Sequence, residues 1–236
     1  MSVQASKHDD RASDDPTMIV AGRLVPLPVQ RILRYVELLP ATLRRYDLAG
    51  VGDCRRVSHD EVVRTRVIRS RVSDDERDWF VLRAAEGEQL LSTVPVDAVL
   101  RDADPGVHGG LFDQALALYQ HFEIPRRPRV SDGKISKLLH LKRPHLYPIL
   151  DSRLRNAYQR AALAAAARYR HQRPGLRRSY WAAVRDDLIM PANVRGLAVI
   201  RERLRHHPDQ LTQHVANLSD VRLLDILTWQ PAVQDV

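Results

Sequence analysis

Apolar residues recur every three or four positions along most of this 236-residue chain, and that period leaves room for little besides helices. Val29, Ile32, Leu33 and Val36 fall at i, i+3, i+4 and i+7, the stripe of an amphipathic helix. The same spacing returns at Leu111, Ala115, Leu118 and Phe122, at Trp181, Val184 and Leu188, at Leu197, Ile200 and Leu204, and at Val221, Leu224 and Leu227. Two more helix starts are marked by capping boxes, Ser58 with Glu61 and Ser73 with Glu76, whose side chains satisfy amides that a first helical turn leaves open. Strand signals are confined to residues 18–25 and 94–96, and Pro26, Pro28 and Pro95 weaken both. No internal repeat or glycine-rich linker divides the chain. The pattern predicts an all-α fold, with a disordered acidic tail over residues 1–17 and a single helical domain over residues 18–236.

Charge narrows the function. The net charge is +8, yet residues 126–178 alone hold a surplus of +13, so the remainder is mildly acidic. Arginine dominates the basic residues, as a GC-rich coding sequence would produce, and the only lysines are Lys7, Lys134, Lys137 and Lys142. Coding bias accounts for the choice of arginine but not for its clustering. A local field of one sign predicts an anionic partner, with nucleic acid first. The alternative is a non-catalytic helical module whose basic segment meets an acidic protein, or the chain's own residues 1–17.

Other classes lose support. The lone Cys54 permits no internal disulfide and no four-thiolate metal site. Residues 1–17 lack the apolar core of a signal peptide, and the longest stretch without Asp, Glu, Lys or Arg, residues 210–219, is too short to span a bilayer. A soluble cytoplasmic protein is expected. There is no G-x-G-x-x-G, P-loop, G-x-S-x-G or H-E-x-x-H. Gly109-Gly110 reads as a plain turn, and His206, His207 and His214 have no ligand spacing. Neither cofactor nor metal is expected.

The most informative stretch is RVSDGKISKLLHLKRPHLYPILDSRLR, residues 129–155. Ser131 or Asp132 caps a helix with Ile135, Leu138 and Leu139 on its apolar face and Lys134 and Lys137 together on the opposite one. Like charges at that spacing cost a few tenths of a kcal/mol unless something anionic compensates. Pro144 and Pro148 then force a turn. A second helix follows with Asp151 or Ser152 as N-cap and Leu154, Ala157, Tyr158, Ala161, Ala162 and Ala165 beneath. Six cations, Lys134, Lys137, Lys142, Arg143, Arg153 and Arg155, thus cluster in sequence around Asp151.

The segment KISKLLHLKRPHLYPILDSRL resembles the signature of a family of uncharacterised actinobacterial proteins, a resemblance that extends over residues from about 44 to 190, including RTRVIRSRVSDDERDWF. More distantly it is similar to the helix-hairpin-helix core of base-excision DNA glycosylases. On that resemblance Lys134 stands where bifunctional members place a Schiff-base lysine, and Asp151 where members place the aspartate that opens the second helix. Glycosylase hairpins carry two glycines around an apolar residue; here residues 129–133 carry Gly133 alone, beside Asp132.

The chemistry so implied is coherent. Cleaving an N-glycosidic bond builds positive charge on the sugar, which a fixed carboxylate stabilises. A lysine amine attacks sugar carbon only once deprotonated, and crowding Lys134 against Lys137, Lys142 and Arg143 would lower its pKa. Lys137, Lys142, Arg143, His145, Tyr147, Arg153 and Arg155 are then the candidates for holding nucleic acid, with Tyr147 either stacking on a base or packing in the turn. The plainer readings are an ordinary N-cap for Asp151 and a solvated face for the lysines. Binding is therefore the leading expectation and glycosylase-like activity a subordinate one.

Overall fold

The computed structural model describes residues 15–124 and 130–229. Residues 1–14, most of the acidic tail, and Arg126, Arg127 and Arg129 of the basic segment lie outside the described residues.

The described chain opens on an antiparallel hairpin, β1 (Met18–Val20) and β2 (Arg23–Val25), with Met18 opposite Val25 and Val20 opposite Arg23. Ala21 and Gly22 both have positive φ, 55° and 75°, the mirror-image turn that matches strand twist. The strand ends one residue before Pro26, which removes the conflict with proline. Residues 94–96 form no strand: Val94 is buried where a helix ends in extended backbone.

Helices follow: α1 (Pro28–Leu38), α2 (Pro40–Thr42), α3 (His59–Arg64), α4 (Asp74–Glu86), α5 (Glu88–Thr93) and α6 (Leu111–Glu123). Then come α7 (Asp132–Lys142), α8 (Ser152–Arg168), α9 (Ser179–Ile189), α10 (Pro191–Arg205), α11 (Gln210–Val215) and α12 (Asp220–Thr228). Both expected capping boxes form, opening α3 and α4. The architecture is all-α apart from the hairpin, and none of the described helices is long and apolar enough to cross a membrane.

A hydrophobic cluster runs from Met18 to Leu227 and draws on nearly every element. Trp181 lies within it, ringed edge-on by Phe112, Tyr119 and Tyr147. The hairpin is tied on by side chains. Asn193 accepts from Ile19 N (2.8 Å) and donates to Ile19 O (2.6 Å), so the β1 edge is paired without a third strand. Asp187 accepts from Ala21 N and the Tyr158 hydroxyl, both at 2.7 Å.

The centre of the molecule is α7. From Ile135 to Lys142 every side chain is buried, which corrects the expectation of a helix with one wet face. Its polar groups find partners: Ser136 Oγ accepts from Leu150 N, His140 Nδ1 pairs with Tyr147 O at 2.7 Å, and Tyr46 Oη donates to Lys137 O. Burial holds His140 neutral, its pKa pushed down to about 3.

Candidate nucleic-acid interface

The three lysines of α7 meet different fates. At the N-terminal end Lys134 Nζ donates to both oxygens of Glu76, at 2.7 and 2.8 Å. At the C-terminal end Lys142, with no solvent exposure, is ion-paired to Glu61 and donates to Asp53 O at 2.9 Å. Glu61 and Glu76 are the capping-box glutamates, so each caps its own helix and grips one end of α7. Lys137 lies between them, 8% exposed, and its ammonium makes no hydrogen bond or ion pair with any described residue. Burial pushes the Lys137 pKa down while the Asp151 and Asp225 carboxylates pull it back up. Desolvation, not the lysine crowding expected for Lys134, is the main cause.

Lys137 lines two hollows. The inner one, about 340 Å³, is bounded by Tyr35, Ile68, Ile149 and Trp229 and floored by Arg222 and Asp225. The outer one, about 510 Å³, runs past Arg71, Lys134 and Arg155 at the α7 N-terminus. Arg69, Lys137, Asp151 and Ser152 line both, so the hollows meet as one trough across the N-terminus of α8.

Asp151 is the N-cap of α8, its Oδ1 accepting from Leu154 N at 2.9 Å. The plain capping role is therefore realised, at a position that also faces the trough. Ser131 rather than Asp132 caps α7. Asp132 is ion-paired with Arg155 and Arg178. On α12, Arg222 binds Asp47 at 2.7 Å, Tyr35 Oη at 2.7 Å and Asp225. Burial raises the Asp225 pKa to about 6 against the pull of Arg222.

The sequence-derived set thus divides. Asp151, Lys134, Lys137, Arg153 and Arg155 converge on the trough. Lys142, Arg143 and Tyr147 do not, and their proposed contacts with nucleic acid are corrected by their burial. The Arg143 guanidinium is consumed by carbonyls of Val94, Leu91, Cys54 and Lys142, and Tyr147 Oη donates to Ala115 O. His145 is half-buried and lines neither hollow.

Arg69, Arg71, Asp225 and Trp229 are additions that sequence reasoning missed. Arg222 and Asp225, an opposite-charge pair at i, i+3 inside the apolar run of α12, were the available signal. Arg69 and Arg71 lie in the RTRVIRSRV segment, where Arg69 closes a turn in the left-handed region at φ 61°.

Neither the curated proteins nor the solved structures include a match to this chain. A family profile does match it, over residues 29–232, which takes in every trough residue. The chain belongs to the family of unknown function DUF6308.

Proposed function

We propose that the protein binds nucleic acid along the trough, with backbone phosphates held at its rim. One observation carries this reading: Arg69, Arg71 and Arg153 stand exposed around Lys137 and form no ion pair among the described residues, whereas Lys134, Arg155 and Arg222 in the same walls already have carboxylate partners. Free cations beside neutralised ones leave a positive surplus where a polyanion can reach it. The preference for DNA over RNA rests on the resemblance of residues 129–155 to glycosylase hairpins.

Fluorescence anisotropy of labelled oligonucleotides from 50 to 300 mM salt tests the proposal. Three phosphate contacts predict a log–log slope of roughly −2 to −3. The triple variant Arg69→Ala, Arg71→Ala, Arg153→Ala should flatten that slope and weaken binding at least tenfold. No binding to any oligonucleotide at 50 mM salt overturns the reading. Equal binding of polyglutamate instead identifies a surface for acidic proteins.

A second reading, N-glycosidic bond cleavage, is favoured by the meeting of Asp151 with an amine in one concavity. That amine is Lys137, because Lys134 is engaged by Glu76. Base release and strand nicking on damaged oligonucleotides should fall at least 100-fold in Asp151→Asn and in Lys137→Ala, with little change in Lys134→Ala. Equal product from all variants and wild type removes the enzyme reading and leaves binding untouched.

A further inference from the structure

We infer that the inner hollow receives one unstacked base, which makes single-stranded nucleic acid, not duplex, the preferred ligand. This inference rests on the proposed binding of nucleic acid along the trough and adds what the inner hollow is for.

The two hollows differ in chemistry. Arg71 lines the outer hollow and Arg69 both, where phosphates would lie, whereas Arg153 lines the inner one. Beside its cations the inner hollow has the apolar walls Leu39, Val67, Ile68, Ile149 and Ile226, where the outer one has only Leu150. Its aromatic side is Trp229, set edge-to-face on Tyr35 at 5.4 Å and 90°, with the Arg153 guanidinium 5.9 Å from the Trp229 ring centroid. Apolar walls, an aromatic ring and a nearby guanidinium suit the π-face of a base, and every base has one.

Size points the same way. A volume of about 340 Å³ is at the low end for ligand pockets and admits a group the size of one nucleoside. A base inside a stacked duplex cannot enter, and extruding it costs free energy that a single strand does not spend. The polar groups of the inner hollow complete the fit. Lys137, nine-tenths buried and with no hydrogen-bond or ion-pair partner for its ammonium among the described residues, is a donor, and Asp225, held by Arg222, is an acceptor. Base edges offer both complements, so the contact is tolerant of sequence. Because Lys137 and Asp151 line both hollows, a strand whose backbone follows the outer hollow turns a single base inward past them.

Binding of three fluorescein-labelled ligands to the full chain tests this: a single-stranded dodecamer, alone and with excess nucleoside monophosphate, its blunt duplex, and a dodecamer of abasic tetrahydrofuran units. The base-bearing single strand should bind about tenfold or more tightly than the duplex and the abasic strand, as expected from one lost stacking contact. Nucleoside monophosphate should remove that advantage without displacing the strand entirely. Trp229→Leu should erase the tenfold difference, and Ile149→Phe, which fills the hollow without removing an aromatic, should do the same. Equal affinity for base-bearing and abasic strands, or duplex binding as tight as single-strand binding, overturns the inference while leaving the trough a phosphate-binding surface. Failure of all three ligands to bind instead overturns the proposed function itself.

Discussion

The ends of α7 and its middle use the same residue type for opposite purposes. Lys134 and Lys142 are closed off by glutamates whose first duty is to cap α4 and α3, and at both positions the charge is spent on holding helices together. Lys137, one turn from Lys134 and more deeply buried than it, faces a trough with no carboxylate of the described residues bonded to it. A lysine's role in a crowded interior is thus decided by whether a neighbouring helix brings an acid within hydrogen-bond reach. Where none does, the buried amine is available to something from outside.

Breaking an end should have the largest effect. Glu61→Gln keeps an acceptor for the cap but leaves the fully buried Lys142 ammonium without its counter-charge, and orphaning one member of a buried pair costs about 3–5 kcal/mol. Urea denaturation should register that loss, and adding Lys142→Met should recover most of it. A cost below about 1 kcal/mol would mean that the ends are not pinned by charge.

The acid beside Lys137 supplies the next contrast. Asp225 has a folded pKa of about 6 against an ordinary 3.8, so the folded chain holds this proton more tightly than the unfolded one. Its contribution therefore turns against folding as pH rises from about 4 to 6 and stays constant above, by about 3 kcal/mol at most. Asp225→Asn does not titrate, so its Tm should gain on the wild-type value across that interval. A Tm difference that does not vary with pH would show that Asp225 is not the titrating group.

Lys137→Met should have the smallest effect on stability, within about 1 kcal/mol of wild type or slightly stabilising, since a mostly buried lysine with no ion-pair partner among the described residues is exchanged for a fitting apolar chain. Oligonucleotide affinity should fall in the same variant. A loss as large as that of Glu61→Gln would erase the distinction between the middle and the ends.

The helical period of the apolar residues is enough to place α1, α6, α9, α10 and α12, and S-x-x-E to place the starts of α3 and α4. Neither signal says which helix is central. For α7 the spacing of Lys134 and Lys137 reads as a solvated face, because the acid that closes off Lys134 is 58 residues away in sequence; that of Lys142 is 81 residues away, and both lie beyond any local pattern. The same distance hides the fate of Arg143, which solvates itself with carbonyls of the loop and helix between Cys54 and Val94. Asp151 is legible as a cap from its position alone. That it shares a trough with Asp225 and Trp229 depends on how α12 packs back against the start of α8, which no spacing encodes.

Because α7 is enclosed along its length by elements drawn from both halves of the chain, the trough has no existence apart from the complete fold. A fragment holding only α7 and α8 would present the eight side chains from Ile135 to Lys142 to water and would not keep its shape. Occupancy and global unfolding are linked for the same reason. Any molecule that fills the trough raises the melting temperature of the whole protein by the logarithm of its saturation, so a thermal-shift screen of small anions and nucleotides reads the site directly, whatever the chemical identity of the occupant.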